Sequence, residues 1–304
     1  MRRKVIEVRN LVKRYGNILA LSGVSFDVYR GEIFTMVGPN GAGKTTTVEI
    51  LECLRNPTSG NVKIFGMDIE GHEEEIKQRI GVLPQEFGTF ERLTVEENIR
   101  FIAKIYERRV DVSNILQTLG LLEHRKRKFG ELSGGMKRRV GIAMALASCP
   151  EIIFLDEPTT GLDPQARQEL WQTIKNLRKE GMTIFLTTHY MEEVEALADR
   201  AALILNGKIL ITDSVRSLIS KYGGGFRVSI SEKRGIRILR KVGEKIVQQD
   251  GKTTAFFKSR EDMLEAFLYL SRHGLKPEMK EPSMNEVFLN LAGGRINEHG
   301  ELIQ

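Results

Sequence analysis

The sequence predicts an α/β protein, with a parallel sheet covered by helices on both faces and a smaller α+β domain after it. Three observations support this prediction. Short apolar runs alternate with segments of helical period, a glycine-rich turn joins one such run to a helix, and the N-terminal residues alternate like exposed strands. Apolar residues make up 41% of the 304-residue chain, which is enough to fill a large core.

The N-terminal region, residues 1–36, has three short runs in which apolar and polar side chains alternate: VIEV, ILAL and VSFDV. Pairs typical of turns punctuate these runs: Gly16–Asn17, Ser22–Gly23 and Arg30–Gly31. A period of two is typical of strands that bury one face. We therefore expect a small, largely antiparallel sheet in this region.

The α/β core is predicted from three apolar runs, at residues 33–38, 152–156 and 183–188. Runs without polar residues are typical of parallel strands that are buried on both faces. The segment from about residue 93 to 130 is charged and helical, and a further helix is expected over residues 135–148. Strands and helices that alternate in this way predict three layers.

The C-terminal part begins after three glycines at positions 223–225, which mark a domain boundary. Three strand patterns follow, FRVSI, KIVQQ and TTAFF, and Asp250–Gly251 predicts a hairpin between the last two. Two capping boxes are expected, Ser259 with Asp262 and Ser283 with Glu286. We expect a larger domain at 1–222 with a helical subdomain at about 88–140, and a small α+β domain at 223–304 with a frayed end.

Composition excludes several classes of protein. The only two cysteines, Cys53 and Cys149, belong to no CxxC pair, which argues against a disulfide framework or a zinc site. The start of the chain has no apolar segment typical of a signal peptide, and no apolar run approaches the roughly 18 residues that span a bilayer. The net charge is +6, but its basic clusters lack interleaved aromatic residues, so we expect no nucleic-acid partner.

The most specific motif is GPNGAGKTT, which lies between a predicted strand and a helix and has the P-loop spacing GxxxxGK[ST]. Its residues are Gly38, Pro39, Asn40, Gly41, Ala42, Gly43, Lys44, Thr45 and Thr46. The glycines let successive backbone N–H groups converge on phosphate oxygens at a helix N-terminus. Lys44 is expected to reach the β- and γ-phosphates, and Thr45 to coordinate Mg²⁺.

A second motif is the acidic pair Asp156 and Glu157, which follows the apolar run at 152–156. Ligands of open α/β sheets bind at the carboxyl ends of strands, where this pair is expected to lie. Asp156 suits the Mg²⁺ shell, and Glu157 suits a general base that activates water.

A third motif, Ser133-Gly134-Gly135 in ELSGGMKRR, opens a helix and offers free N–H groups to an anion. Its position ahead of the acidic strand resembles the LSGG signature of the ABC ATPases. The resemblance covers roughly residues 4–220. Met136 departs from the pattern, since that position is often Gln in the family.

This resemblance implies roles for four further residues. Tyr15 resembles the aromatic that stacks on adenine, and Gln85 resembles the Q-loop glutamine that contacts Mg²⁺ and the membrane partner. Asp163 resembles the D-loop aspartate and also predicts a helix N-cap ahead of a proline. His189 resembles the switch histidine that contacts the γ-phosphate.

The resemblance also implies ATP and Mg²⁺ as ligands, a second ATPase subunit in a homodimer, and a separate integral membrane permease. The chain would then lie in the cytoplasm, on the inner face of the cell membrane. Residues 93–106 and 281–293 resemble the ATPases of multidrug and antibiotic exporters. The alternatives are an ABC importer ATPase, a soluble ABC protein that acts on ribosomes or nucleic acid, and an unrelated P-loop enzyme, which does not explain LSGGM.

Overall fold

The computed structural model describes residues 3–243, 245–249, 251–297 and 299–303, and these form two units. The first unit contains the described residues up to Val215 together with Ile296–Ile303, and the second contains Arg216–Arg295. The predicted domain bounds, 1–222 and 223–304, remain a prediction about functional domains.

The described residues of the first unit up to Val215 contain ten strands: β1 (Lys4–Tyr15), β2 (Ile18–Tyr29), β3 (Ile33–Val37), β4 (Ser59–Ile64), β5 (Met67–Asp68), β6 (Ile80–Leu83), β7 (Ile152–Asp156), β8 (Thr183–Thr188), β9 (Arg200–Leu205) and β10 (Lys208–Ser214). Its helices are α1 (Lys44–Leu51), α2 (Glu73–Lys77), α3 (Val95–Ile105), α4 (Val112–Thr118), α5 (Gly134–Leu146), α6 (Pro164–Lys179) and α7 (Met191–Leu197). Short 3₁₀ turns lie at Leu122–His124 and Phe129–Glu131.

The central sheet has the strand order β10-β9-β3-β8-β7-β6. All neighbours are parallel except β9 and β10. Every residue of β3, β7 and β8 is buried, as the apolar runs predict. These three strands are adjacent, so their carboxyl ends meet at one edge of the sheet, which is where open α/β sheets bind ligands.

The predicted antiparallel sheet is confirmed, with the order β2-β1-β4-β5. The pair Ser22–Gly23, which is typical of a turn, does not end a strand here, because β2 continues through Gly23 as one long strand. Gly23 has φ of +78°, and the register with β1 shifts between Leu11 and Val12. Gly23 therefore forms a β-bulge in the left-handed conformation that glycine favours. The bulge shifts the register by one residue, and the strand continues beyond it.

Four phenylalanines connect the two sheets. Phe26 of β2 stacks on Phe34 of β3 at 5.3 Å between ring centroids, and Phe185 lies 5.6 Å from Phe34. Phe154 of β7 lies 5.6 Å from Phe185. Aromatic contacts of this kind fix β3, β7 and β8 against the antiparallel sheet, and so fix the loops at their ends.

The helical segment contains α3 and α4, as expected. Helix α3 begins with a full capping box that the sequence analysis did not identify: Thr94 Oγ1 accepts from the Glu97 N–H at 3.2 Å, and Glu97 Oε2 accepts from the Thr94 N–H at 2.7 Å. The predicted N-cap of α6 is confirmed, since Asp163 Oδ1 accepts from the Ala166 N–H at 2.9 Å.

The second unit combines an antiparallel sheet with helices. Its strands are β11 (Phe226–Ile230), β12 (Lys245–Gln249), β13 (Lys252–Phe257) and β14 (Glu278–Lys280), in the order β12-β13-β11-β14. Its helices are α8 (Val215–Tyr222), α9 (Lys233–Val242), α10 (Arg260–Arg272) and α11 (Met284–Ala292). The three predicted strands are confirmed. Asp250 of the predicted hairpin turn lies outside the described residues.

Helix α9 was not predicted, because Gly235 interrupts its pattern. A Cβ at this position would collide with the side chain of Ile230, so glycine lets the helix approach β11 closely. Leu239 of α9 and Met263 of α10 join Ile230 in the core of this unit.

Both predicted capping serines, Ser259 and Ser283, are N-caps, but the reciprocal half of each capping box is not formed. The Ser283 hydroxyl accepts from the Glu286 N–H at 3.4 Å, while the Glu286 carboxylate binds cations instead. It accepts a hydrogen bond from Arg227 and lies 3.3 Å from Arg295 and 3.7 Å from Lys280. Three cations compete more strongly for this carboxylate than one backbone N–H does.

The end of the chain differs from the expectation that it is frayed. Strands β15 (Arg295–Ile296) and β16 (Leu302–Ile303) pair in a two-stranded hairpin. The Asn297 N–H donates to the Glu301 carbonyl, and the Glu301 N–H donates to Asn297 Oδ1, and these two bonds close the hairpin.

No helix among the described residues is long and apolar enough to cross a membrane.

We expect Glu286→Ala to lower the free energy of unfolding of the second unit by about 1–3 kcal/mol, because charged hydrogen bonds to Arg227 are lost. Burial raises the pKa of Glu286, but the hydrogen bond from Arg227 and the nearby cations outweigh it and lower the pKa. This contribution is therefore present above the ordinary carboxyl pKa and is lost as pH falls. The measurement is urea unfolding at neutral pH and at about pH 4.

Glu281→Ala is the matched control. Glu281 pairs with Arg260, and both side chains are exposed, so the pair contributes little to stability. An equal loss of stability in the two variants would contradict the role assigned to Glu286.

Candidate functional site

The P-loop connects β3 to α1 at the carboxyl edge of the central sheet. Gly38 follows β3, and a Cβ there would collide with the carbonyl oxygen of Ile204 in β9. Gly43 caps α1 with φ of +106°, a conformation that favours glycine. Lys44 is the first residue of α1, so the helix N-terminus and its free N–H groups face the loop.

Two charged side chains, Lys44 and Glu157, meet the imidazole of His189 beside this loop, and we call these three residues the charged triad. Lys44 Nζ lies 3.1 Å from Glu157 Oε1, and His189 Nδ1 lies 3.0 Å from Glu157 Oε2. All three are buried. They follow β3, β7 and β8 respectively, so the strand order of the sheet brings them together. Lys44 also donates to the carbonyls of Gly38 and Pro39, at 2.9 and 3.1 Å.

The backbone of Glu157 is strained. Its φ is +46°, in the left-handed region that non-glycine residues rarely adopt. The N–H group donates to the carbonyl of Thr187 at 3.2 Å and to its hydroxyl at 3.1 Å, which holds this conformation. Such strain is common where a site fixes the direction of one side chain.

Opposite effects set the pKa values of the two acids. Burial would raise the pKa of Glu157, but the hydrogen bond to His189 and the charge of Lys44 outweigh it and lower the pKa to about 2. For Asp156, burial dominates and raises the pKa, although the hydroxyl of Thr187 and that of Thr45 oppose it. Glu157 is therefore firmly ionised at neutral pH.

Asp156 binds two hydroxyl groups. Its Oδ1 accepts a hydrogen bond from Thr187, and the Thr45 hydroxyl donates to its carboxylate. Thr45 lies in the P-loop and Asp156 at the end of β7, so hard oxygen donors from both motifs converge. This donor chemistry suits Mg²⁺, which binds through one or two protein oxygens together with phosphate and water.

A cavity of about 330 Å³ lies over the P-loop. Its lining contains the P-loop, Gln85 and Glu157, as predicted, and also Ala20 from β2. The lining residues are Ala20, Asn40, Gly41, Gly43, Lys44, Thr45, Thr46, Gln85 and Glu157. The cavity is thus surrounded by backbone donors, one ammonium group and one carboxylate.

The signature residues lie elsewhere in the first unit. Ser133 caps α5, and its hydroxyl accepts from the Met136 N–H at 3.3 Å. Gly135 lies against α6, where a Cβ would be 2.9 Å from the Cβ of Ala166. The N-termini of α5 and α6, with Ser133 and Asp163 as caps, therefore lie side by side. Neither cap, nor Gly134 or Gly135, is among the described residues that line the cavity.

Tyr15 lies at the end of β1 and is 37% exposed. Lys13 Nζ lies 5.1 Å from the centroid of its ring, and the Arg55 guanidinium lies 5.7 Å away. Tyr15 does not line the cavity itself, but its exposed ring and two cations are available to a ligand that extends beyond it.

Comparisons with known proteins agree with this geometry. Residues 21–160 match the family model of the ABC transporter. The linearmycin resistance ATP-binding protein LnrL of Bacillus subtilis is 34% identical over 97% of this chain and 100% of its own length. The Nod factor export ATP-binding protein I of Burkholderia orbicola is 36% identical over 96% of this chain and 98% of its own. The chain belongs to the ABC transporter ATP-binding proteins.

A solved structure extends the comparison. A dimeric post-hydrolysis state of the ATP-binding cassette MJ0796, bound to ADP and Pi, superposes with a TM-score of 0.61 at 28% identity. It covers 69% of this chain and 98% of the other. The fold is that of a P-loop ABC ATPase, and the chain is an ATP-binding and ATP-hydrolysing subunit of the exporter type.

Two residues of the site in this ABC ATPase, Thr187 and Thr160, are not predicted by the sequence motifs. Thr187 contacts both acids, and the Thr160 hydroxyl donates to Glu157 Oε2 at 3.1 Å. Thr187 is part of an apolar run, so its pattern indicates only a buried strand. Met136 in α5, which departs from the family pattern, is half-buried and packs against the hydrophobic core.

We expect Thr187→Val to lower the free energy of unfolding of the ABC ATPase unit by about 1–3 kcal/mol, because buried Asp156 loses a hydrogen-bond donor. Thr35→Val in the adjacent strand β3 is the control. The Thr35 hydroxyl is buried and has no hydrogen-bond partner among the described residues, so its loss is expected to be neutral or stabilising. Thermal unfolding measures both, and equal destabilisation would argue against the bonds of Thr187.

Proposed function

We propose that this chain is the motor of an export system in which two ATPase subunits close on ATP and drive a separate membrane subunit. The charged triad carries the proposal, because it places a phosphate-binding lysine, an ionised carboxylate and a histidine in one buried group. Relatives named for linearmycin resistance and Nod factor export support export over import or a role on ribosomes.

Nucleotide binding is assigned to the P-loop and Tyr15. The N–H groups of the loop and of the first turn of α1 bind the phosphates, except at Pro39, which has no N–H group. The assigned residues are Gly38, Pro39, Asn40, Gly41, Ala42, Gly43, Lys44, Thr45 and Thr46. Lys44 exchanges its carbonyl and carboxylate partners for phosphate oxygens. Tyr15 stacks on the adenine ring outside the cavity.

The Mg²⁺ site is assigned to Thr45, Asp156 and Gln85. Among the described residues no group of three His, Cys, Asp or Glu side chains is arranged to hold a metal ion alone. One carboxylate and one hydroxyl suit Mg²⁺ that is shared with ATP, because this ion retains water and phosphate ligands. When bound, Mg²⁺ offsets the negative charge of the phosphates.

Hydrolysis is assigned to Glu157 as general base and His189 as the contact to the γ-phosphate. In the charged triad, Lys44 and His189 hold the Glu157 carboxylate, and this keeps its pKa low. Phosphate oxygens attract both Lys44 and His189 away from Glu157. The pKa of the carboxylate then rises toward its ordinary value, and the group is able to take a proton from water.

A second subunit completes each nucleotide site. Ser133, Gly134, Gly135 and Asp163 lie together at two helix N-termini, outside the cavity of their own chain. Their free N–H groups and helix dipoles suit the γ-phosphate held by another chain. Each motif occurs once in this sequence, so a head-to-tail homodimer with two equal sites is the simplest assembly.

The membrane subunit is assigned to an exposed apolar surface that follows Gln85 along the chain and consists of Phe90, Phe101 and Ile105. Phe90 and Phe101 pack edge to face at 5.0 Å, yet they are 53% and 39% exposed, and Ile105 on the same helix is 58% exposed. Grouped exposed apolar side chains are typical of an interface. This surface faces the cytoplasmic side of the membrane partner, so the chain is peripheral to the membrane.

We expect Glu157→Gln to bind ATP but to hydrolyse it about 10²–10⁴-fold more slowly, which is the usual contribution of a general base. Lys44→Ala is the contrasting variant, and it should lose ATP affinity. Steady-state ATPase assays and nucleotide titrations measure the two effects. Near-normal turnover by Glu157→Gln would remove Glu157 from this role.

The experiment for the export function is purification of tagged Glu157→Gln, with ATP and Mg²⁺, from detergent-solubilised membranes, followed by mass spectrometry. We expect a multi-span membrane protein in stoichiometric amount. Phe101→Asp in the same background should lose that protein while it still binds ATP. Recovery of ribosomes or nucleic acid, without a membrane protein, would contradict export and leave the ATPase assignment intact.

A further inference from the structure

The C-terminal hairpin, by which we mean residues 295–297 and 299–303, has a turn built around one side chain. Asn297 Oδ1 accepts hydrogen bonds from the N–H groups of His299 and Glu301, at 3.0 and 2.9 Å. The backbone N–H of Asn297 donates to the Glu301 carbonyl, and that of Gly300 donates to the Asn297 carbonyl, both at 3.0 Å. The turn is therefore held by its own bonds, and the carbonyl groups of His299 and Gly300 accept hydrogen bonds from outside it.

This turn contacts the P-loop. The backbone N–H of Asn40 donates to the Gly300 carbonyl at 2.6 Å, and Asn40 Nδ2 donates to the His299 carbonyl at 2.7 Å. Gly300 is buried in the contact and has φ of +78°. A Cβ at this position would lie 2.6 Å from Asn40 Oδ1, so only glycine fits.

The contact occupies a functional position, since Asn40 lines the cavity together with Gly41, Lys44 and Thr45. A P-loop binds phosphate through converging donors. The hairpin gives one of these donors a carbonyl acceptor from the same chain. It also places backbone atoms on the rim of the cavity, which the signature helix of a second subunit must approach for the site to close.

We propose that the C-terminal hairpin is an intramolecular competitor of the second ATPase subunit for the rim of the P-loop. While the hairpin is docked on Asn40, ATP-driven closure of the dimer is disfavoured, and closure requires the hairpin to leave. This proposal rests on the two-subunit site proposed above. It assigns to the hairpin a restraint on ATP hydrolysis by the motor.

The size of the restraint follows from the contacts. Two hydrogen bonds between neutral groups are individually weak in water, but the tether keeps the hairpin at a high local concentration. We expect the docked hairpin to raise the ATP concentration for half-maximal dimer by about tenfold. Bound ATP and the partner subunit together are able to displace it.

The test uses the full chain in the Glu157→Gln background, where hydrolysis is slow and the closed dimer accumulates. Three variants are compared: a chain that lacks residues 296–304, Gly300→Val, and His299→Ala. Gly300→Val places a side chain against Asn40 and strains the turn. His299→Ala is the matched control, because His299 contacts Asn40 only through its carbonyl oxygen. Light scattering after size-exclusion chromatography gives the ATP concentration for half-maximal dimer.

We expect the shortened chain and Gly300→Val to dimerise at about tenfold lower ATP concentration than the parent, and His299→Ala to stay within about twofold. An unchanged midpoint in both disrupting variants overturns the proposal but leaves the dimer intact. A higher midpoint also overturns it, because the hairpin would then stabilise the partner. Absence of an ATP-dependent dimer in every variant, including the parent, refutes the two-subunit site itself.

Discussion

The ion pair between Lys44 and Glu157, extended to His189, is the interaction on which the rest of the site depends. It is buried, and a buried charge without a partner is costly, so each member requires the other two. The order of strands β3, β8 and β7 brings the three side chains together. The phenylalanines between the two sheets keep those strands in place, and the strained backbone of Glu157 directs its carboxylate toward Lys44.

The same interaction explains how a bound phosphate can act as a switch. In the proposed mechanism, Lys44 and His189 hold the carboxylate until phosphate oxygens compete for them, so binding prepares the base for hydrolysis. The signature and D-loop caps lie outside the cavity of their own chain, and in the proposed dimer a second subunit supplies them. The C-terminal hairpin contacts Asn40, on the rim that this subunit would approach. On this proposal, nucleotide, partner and hairpin compete around Asn40 and Lys44.

Much of the site could be predicted from the sequence, because its motifs are local. The P-loop glycines, the acidic pair after an apolar strand and the Asp163 cap each follow from a few adjacent residues. Three features could not be predicted in this way, because they depend on pairing between distant segments: the role of Thr187, the bulge at Gly23 and the contact of Gly300 with Asn40. The local pattern around Thr187 indicates only a buried strand, and the pattern around Gly300 indicates only a frayed end.

The central claim is that each nucleotide site is shared between two copies of this chain. The most direct measurement uses the Glu157→Gln background, in which hydrolysis is slow, and mixes two further variants. These are Lys44→Ala, with a defective P-loop, and Ser133→Arg, with a defective signature. In a mixed dimer one site pairs the intact P-loop of one chain with the intact signature of the other. The account predicts that the mixture retains ATP through gel filtration, with a maximum at equal amounts, although neither variant does so alone. A mixture that retains no ATP at any ratio would contradict the shared site.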